Sequence, residues 1–296
     1  MPAPAAGPGN WSGAASAVRV GDEIVLAYRV RRPLDEGRGV AVVVARSPDG
    51  LRFETVCEIS REAFGAASLE RPCPVPLEGG GWRLYLSCAT PNSRHWWVDS
   101  LTAATLEELP AGERAVVLAG DDSVGLKDPV VRCAGGWWRM WATAHPLDLP
   151  GEEDRMTTRL FTSTDGLEWA DEGVVLAPHP GGWDARGTRV AAVLGEDPLV
   201  LLYDGRPDAA SNWFETTGAV VAVDGALTRV DGVRLVSPHS DGAFRYVTVV
   251  PEPAGGLRWY AEQARPDGAH DLVTGVFLPA TGRPAMPDVT GGARLA

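Results

Sequence analysis

The chain has 296 residues, with 27 Lys and Arg against 39 Asp and Glu, for a net charge of −12. It contains no Lys/Arg run, so a nucleic-acid backbone or an anionic membrane is excluded as the main partner. No apolar stretch approaches the ~18 residues of a spanning helix, and a chain this long can bury a core without a disulfide or metal staple.

The opening MPAPAAGPGNWSG has neither a basic n-region nor an apolar h-region, so no signal peptide is expected. A first strand is predicted at 16–20. It turns at Gly21-Asp22 into a strand through Tyr28, then a charged loop at 29–38 and a third strand at 40–45. The same order returns four times. In the second copy a strand at 72–77 turns at Gly79-Gly80-Gly81 into one through Tyr85, then loop 89–95 and strand 96–100. The third runs 129–133, Gly135-Gly136, Trp141, loop 145–155 and strand 157–162. The fourth runs 189–194, Gly195-Glu196-Asp197, Tyr203, loop 204–215 and strand 218–223. The fifth runs 246–250, Ala254-Gly255-Gly256, Tyr260, loop 262–270 and strand 272–277. Only 61–67 and 101–109 read as short helical turns.

The aromatics Tyr28, Tyr85, Trp141, Tyr203 and Tyr260 are 57, 56, 62 and 57 residues apart. Two copies also share a turn, Ser47-Pro48-Asp49-Gly50-Leu51-Arg52-Phe53 and Ser163-Thr164-Asp165-Gly166-Leu167-Glu168-Trp169, where Asp-Gly is a strong hairpin signal. A long period of antiparallel units predicts an all-β chain: one domain over 1–296, a five-bladed β-propeller with blades near 11–60, 68–120, 126–178, 184–238 and 243–296. The competing architecture is a β-sandwich. The fifth blade lacks an outer strand, which either the N-terminal segment or the tail after Pro279 could supply. Cys57, Cys73, Cys88 and Cys133 form no CxxC or Cys/His cluster and read as small buried hydrophobes in a reduced, cytoplasmic protein.

Alternating strand direction puts the start of each first strand and the loop after each second strand on one face. That mouth collects Glu70, Arg71, Lys127, Asp128, Arg186, Arg189, Arg245 and Tyr246, with His95, His145, Asp154, Arg155, Asp204, Trp213, Glu215, Glu262 and His270 from the loops. Charges where apolar strands begin are costly unless paired or functional. Arg71, Arg186, Arg189 and Arg245 converge either on a carboxylate or phosphate, or on Asp128, Glu70 and Asp154 in a buried ion-pair ring. Asp128 has its own alternative, capping a strand start and pairing with Arg155 or Arg189. The three histidines suit proton transfer near neutral pH; no metal-ligand spacing occurs, so no metal and no cofactor are expected. Trp213 and the pairs Trp96-Trp97 and Trp137-Trp138 could stack on a sugar, the strand tryptophans being more often core.

Lys127-Asp128-Pro129 before Trp-Arg-Met-Trp, Glu70-Arg71-Pro72 before Trp-Arg-Leu-Tyr, and the two Ser-x-Asp-Gly-Leu-x-aromatic turns together resemble the five-bladed propellers of the glycoside hydrolase family 43 and family 32 superfamily. The resemblance implies a carbohydrate-active ancestor with carboxylates on the floor of a funnel. It implies that Asp128 orients substrate and tunes the acid, and that Glu70 matches an acidic position of family 32. Two positions depart from the pattern. The first-blade carboxylate is replaced by Ser12-Gly13-Ala14-Ala15, and the fourth-blade acid by Arg186-Gly187-Thr188-Arg189 with Asp184 just upstream.

Hydrolysis of a glycoside needs one proton-donating acid and one carboxylate as nucleophile or base. Asp128, Glu70, Glu215 and Asp184 are the catalytic candidates, with Asp204 also weighed. Asp128 beside Lys127 suits a base, and Glu215, Glu262 or Asp154 would have to supply the acid. Arg71, Arg189, Arg245, Tyr246, His95, His145, Asp154, Arg155, Asp204, Trp213, Glu262 and His270 are expected to bind substrate. The leading expectation is a glycoside hydrolase-like enzyme acting on a small sugar conjugate, anionic in one version. A propeller that has lost hydrolysis for an isomerisation or cyclisation, and a non-catalytic sugar-binding module, are the alternatives. Oligomeric state is left open.

Overall fold

The computed structural model describes residues 1–278, and among them the regular structure is all β apart from three short 3-10 turns. The first antiparallel meander is β1 (Trp11–Val20), β2 (Glu23–Arg31), β3 (Gly39–Ser47) and β4 (Glu54–Ser60). The second is β5 (Leu69–Pro76), β6 (Trp82–Ala89), β7 (Trp96–Ala103) and β8 (Glu113–Leu118). The third comprises β9 (Val124–Ala134), β10 (Trp137–Pro146), β11 (Thr157–Ser163) and β12 (Ala170–Leu176). The fourth comprises β13 (Gly187–Glu196), β14 (Leu199–Arg206), β15 (Thr216–Val223) and β16 (Ala226–Leu235). The last has β17 (Phe244–Pro251), β18 (Leu257–Ala264) and β19 (His270–Phe277), and β19 meets β1 through one parallel pair, Trp11 with His270.

The first strands pack in ring order: β1 beside β5, β5 beside β9, β9 beside β13, β13 beside β17, and β17 beside β1. Apolar core lies between successive meanders. Val25, Val42, Leu84 and Leu101 fill the first gap, and Cys73, Val98, Val131 and Met140 the second. Trp141, Val190 and Leu201 fill the third, Leu202, Phe244 and Val249 the fourth, and Leu26, Val250 and Tyr260 the last. Each sheet thus buries both faces, which is why the middle strands read as nearly continuous apolar runs rather than strict alternation.

Two devices lock neighbouring meanders together. In the shared turns, Ser47 Oγ accepts the Gly50 N–H (2.8 Å) and Asp49 Oδ1 accepts those of Leu51 and Arg52; Ser163 and Asp165 repeat the pattern. The glycine carbonyl then accepts a tyrosine hydroxyl from the preceding meander, Tyr260 to Gly50 (3.0 Å) and Tyr85 to Gly166 (2.7 Å). The second device sits on the first strands, where Ala14, Asp128 and Tyr246 adopt φ of 49°, 55° and 54° at register shifts. A non-glycine residue pays steric cost there, and each bulged N–H is held by a side chain of the preceding meander. Ala14 donates to Glu262 (3.0 Å), Asp128 to Ser87 (2.8 Å) and Tyr246 to Asp204 (2.9 Å).

The expected helical turn at 61–67 is a 3-10 turn over Arg61–Phe64. That at 101–109 is corrected: β7 continues to Ala103 because Leu101 pairs with Leu84 and Arg114 and packs in the core, leaving a 3-10 turn only at Leu109–Ala111. Of the two candidates for closing the last meander, the N-terminal segment lies along β19. The Leu272 N–H donates to the Met1 carbonyl (2.9 Å), and the Ala3 N–H to Asp271 (2.7 Å). The tail after Pro279 lies outside the described residues.

Candidate functional site

A cavity of about 540 Å³ opens over the ring of first strands. Its lining includes Glu70, Glu215, Lys127, Arg189, Arg245 and Tyr246, with Arg29, Arg31, Arg38 and Arg206 beside them. Trp11, Trp96 and Trp213 supply aromatic surface, and His145, Asp154 and Glu153 come from the loop after β10.

Tyr246 is fixed at the centre. Its bulged backbone turns the ring under the Arg189 guanidinium, 3.7 Å from the ring centroid. Its hydroxyl receives a hydrogen bond from Arg189 (3.1 Å) and donates to Asp128 Oδ2 (3.4 Å). Asp128 also stands 3.5 Å from both Lys127 and Arg189, while Arg155 is exposed and bound to Glu152. Of the two arginines the partner is therefore Arg189, with Lys127 a second cation at the same distance, and Asp128 is wholly buried below the floor rather than on it.

The two floor carboxylates are wrapped by cations. Glu70 contacts Arg29, and Glu215 contacts Arg245 and Arg206 (2.9 Å to the latter). Burial by itself would raise the Glu70 carboxyl, but Arg29, then Lys127, Arg38 and Arg31, hold it well below the usual carboxylate range. The same contest places Glu215 well below it, with Arg245, Arg189 and Arg206 outweighing burial. Behind them Glu262 accepts from Arg29 and Arg245 (2.7 Å each) and from His270 Nδ1 (2.8 Å), and Asp204 accepts from Arg189 (2.8 Å).

His145 carries a different signal. Its Nδ1 lies 2.7 Å from the Glu153 carbonyl, which can only accept, so Nδ1 bears the proton and Nε2 is a bare lone pair. Nε2 is buried and has no protein partner among the described residues. Burial, then the charge of Lys127, push the imidazole pKa well below its ordinary value, so the ring is neutral. Among the described residues no group of three His, Cys, Asp or Glu is placed to hold a metal ion.

The structure brings Glu70, Glu215, Arg189, Arg245, Tyr246, His145, Asp154 and Trp213 to one cavity and leaves the other candidates away from it. Asp128, Asp204, Glu262 and His270 form a buried layer behind the lining. Arg71 lies beneath the floor, bonded to the Ala191 carbonyl (2.5 Å) and Ser16 (3.1 Å). Asp184 is in the wall of a separate pocket, tied to Arg229 (2.7 Å) and Tyr203 (3.1 Å). His95 bonds Thr90 (2.8 Å), and Arg186 is paired with Asp154 (2.6 Å). Of the two roles open to the converging arginines, ion pairing accounts for Arg186, Arg189 and Arg245.

Sequence reasoning missed Arg29, Arg31, Arg38 and Arg206. A signal was present: Tyr28-Arg29-Val30-Arg31 and Tyr203-Asp204-Gly205-Arg206 place charges at alternate positions directly after the repeat aromatic, on one strand face.

No protein-family model and no curated protein matches the chain. Solved structures do. A glycosyl hydrolase from Bacteroides ovatus aligns at TM-score 0.65 and 15% identity, covering 95% of this chain and 87% of that one. A β-1,2-mannobiose phosphorylase from Listeria innocua aligns at TM-score 0.61 and 14% identity, over 90% and 88%. A sucrose-6-phosphate hydrolase from Lactobacillus gasseri aligns at 0.65 and 13%, over 95% of this chain but 62% of its own length. The chain therefore shares the all-β, propeller-like fold of these structures.

Proposed function

We propose that the protein is a carbohydrate-active enzyme, its five meanders acting as propeller blades around a mouth that takes a small sugar or sugar conjugate. The observation that carries this is the cavity itself, lined by Glu70, Glu215 and His145 and walled by Trp11, Trp96 and Trp213. Carboxylates and an imidazole lone pair accept hydrogen bonds from hydroxyls, and indole faces stack on the apolar side of a pyranose or furanose. The glycoside hydrolase and phosphorylase structures that share the fold support the same reading.

The chemistry follows from what is protonated. Two-carboxylate hydrolysis requires a carboxylic acid of raised pKa to protonate the leaving oxygen. Glu70 and Glu215 are both held ionised, each by at least one direct guanidinium contact. The lining instead offers a base in neutral His145 and a proton-bearing Lys127 ammonium whose pKa burial lowers. That pairing favours proton transfer on the sugar, of the isomerisation or cyclisation class, over hydrolysis.

Incubation with reducing sugars and their phosphate and carboxylate derivatives in deuterated water, followed by NMR, tests this. The expected result is deuterium appearing at a sugar carbon, lost in His145→Ala, with no turnover of aryl glycosides. Aryl-glycoside cleavage that survives His145→Ala but is abolished in both Glu70→Gln and Glu215→Gln would establish hydrolysis and overturn it.

A further inference from the structure

The cavity's cations divide into two groups. In the half nearer Glu215, each guanidinium donates to a carboxylate: Arg189 to Asp204 (2.8 Å), Arg206 to Glu215 (2.9 Å) and Arg245 to Glu262 (2.7 Å). Around Glu70 the pattern differs. Arg29 occupies Glu70 and Glu262 directly, yet Arg31, Arg38 and Lys127 also bear on Glu70. Among the described residues none of these three donates a hydrogen bond to a carboxylate. Among the described residues Arg31 has no carboxylate within 4.0 Å and reaches only the Gly9 carbonyl (3.4 Å). Arg38 stands 3.7 Å from Glu70, and Lys127 3.5 Å from Asp128.

What holds these cations is aromatic. The Arg31 guanidinium lies 3.8 Å from the Trp11 ring centroid and 5.2 Å from that of Trp213, with only 2% of the residue exposed. Lys127 Nζ lies 4.2 Å from the Trp96 centroid, and the Arg38 guanidinium 5.1 Å from the same ring. A π face stabilises a cation from one side without consuming its N–H donors. Three positive groups are therefore held in place with donors to spare, Arg31 and Lys127 buried and Arg38 partly exposed. Burial, with the Arg29 charge next, pulls Arg31 down to about 9, only partly offset by Glu70.

We propose that Arg31, Arg38 and Lys127 form an anion subsite in the Glu70 half of the cavity, which takes the phosphate or carboxylate group of the sugar conjugate. The proposal rests on the carbohydrate reading for the sugar and stands by itself for the anion. Lys127 would face the anion as a point charge, and Arg31 as a planar fork fitted to two oxygens. The rest of the conjugate would then extend towards Glu215 and His145.

Calorimetric titration with four probes tests the subsite: D-glucose, D-glucose 6-phosphate, D-glucuronate and inorganic phosphate. At least one charged sugar should bind about tenfold or more tightly than glucose, as one or two charge-assisted hydrogen bonds imply. The preferred sugar identifies the group as phosphate or carboxylate. In Arg38→Gln and Lys127→Met the charged-to-neutral ratio should fall about tenfold, and in Arg31→Gln at least as far. Arg38 is partly exposed, so its variant stays informative if loss of Arg31 impairs folding. Equal affinity for charged and neutral sugars, no binding of any charged probe, or a ratio unchanged in Arg38→Gln and Lys127→Met would overturn the subsite. Binding of inorganic phosphate alone, weakened in the variants, would keep the subsite and remove the carbohydrate reading. Neutral-sugar binding alone would do the reverse.

Discussion

Glu262 shows how one side chain can look catalytic and act as a keystone. It is fully buried and accepts from two guanidiniums, an imidazole and the bulged Ala14 N–H. Removing its charge while keeping its shape would leave Arg29 and Arg245 short of a counterion in a dry interior. Glu262→Gln should thus cost about 3–5 kcal/mol of unfolding free energy, read from urea denaturation. A loss under about 1 kcal/mol would show that the cluster holds together without it. The same group sets an acid limit. Against burial, Arg245 and Arg29 hold Glu262 well below 4.5, and their counterparts do so for Glu70 and Glu215. Carboxyls depressed by folding stabilise the protein fully above the unfolded value of about 4.3 and lose that contribution as pH falls towards their folded values. The urea midpoint should be flat in these terms from pH ~7 to ~5 and fall below that. A midpoint that holds steady to pH ~3 would contradict the pinned-carboxylate description of the floor.

At the scale of the element, the Asp-Gly turns act as inter-meander latches rather than simple reversals. Gly166 has φ of 72°, and a Cβ there would fall 2.7 Å from both Tyr85 Oη and Arg83 Nη1, and 2.9 Å from Trp138. Gly135, in the β9–β10 turn, has φ of 59° but nothing within 4 Å of the same added atom. Gly135→Ala should therefore cost only the left-handed backbone penalty, about 1–2 kcal/mol, and Gly166→Ala distinctly more. Equal losses in paired thermal melts would reduce the latch to an ordinary turn. These turns were readable because their signal is local: Ser, Asp and Gly meet within four residues and bond one another. The strands and their aromatics were readable for the same reason. The split between lining and buried acids was not. Asp204 and Glu262 sit in mouth loops by sequence, yet each turns to the N–H of a bulge on the next meander's first strand. Such partners are some 40 and 250 residues apart in the chain: Asp204 reaches Tyr246 across neighbouring meanders, and Glu262 reaches Ala14 only across the closure of the ring. Arg31 escaped for a related reason. Its aromatic clamp takes Trp11 from β1 and Trp213 from the loop before β15.

For the whole molecule, the weak point of a closed ring is where its last meander meets its first. Within the sheets that seam has a single ladder pair, Trp11 with His270. Further closure comes from the core of Leu26, Val250 and Tyr260, from Ala14 and Arg29 donating to Glu262, from Tyr260 donating to the Gly50 carbonyl, from Thr248 accepting the Ala17 N–H (3.0 Å), and from the N-terminal segment. That segment exchanges backbone hydrogen bonds between Met1 and Leu272 (2.8 and 2.9 Å) and joins Ala3 to Asp271 (2.7 Å). Ser12 Oγ donates to the Pro2 carbonyl (2.7 Å), which ties the segment to the start of β1. A variant lacking residues 1–9 forfeits these bonds and exposes the outer edge of β19, while leaving the side chains that line the cavity in place except for what the seam supports. At about 1 kcal/mol for each hydrogen bond lost, it should be less stable by roughly 2–4 kcal/mol. The consequence reaches the site, because Trp11 and Arg31 stand at this seam and form one wall of the cavity. Loosening the seam should therefore weaken binding of a charged sugar more than a stability loss of similar size placed elsewhere, such as Gly166→Ala. Equal binding in the two variants would separate closure of the ring from the shape of its mouth.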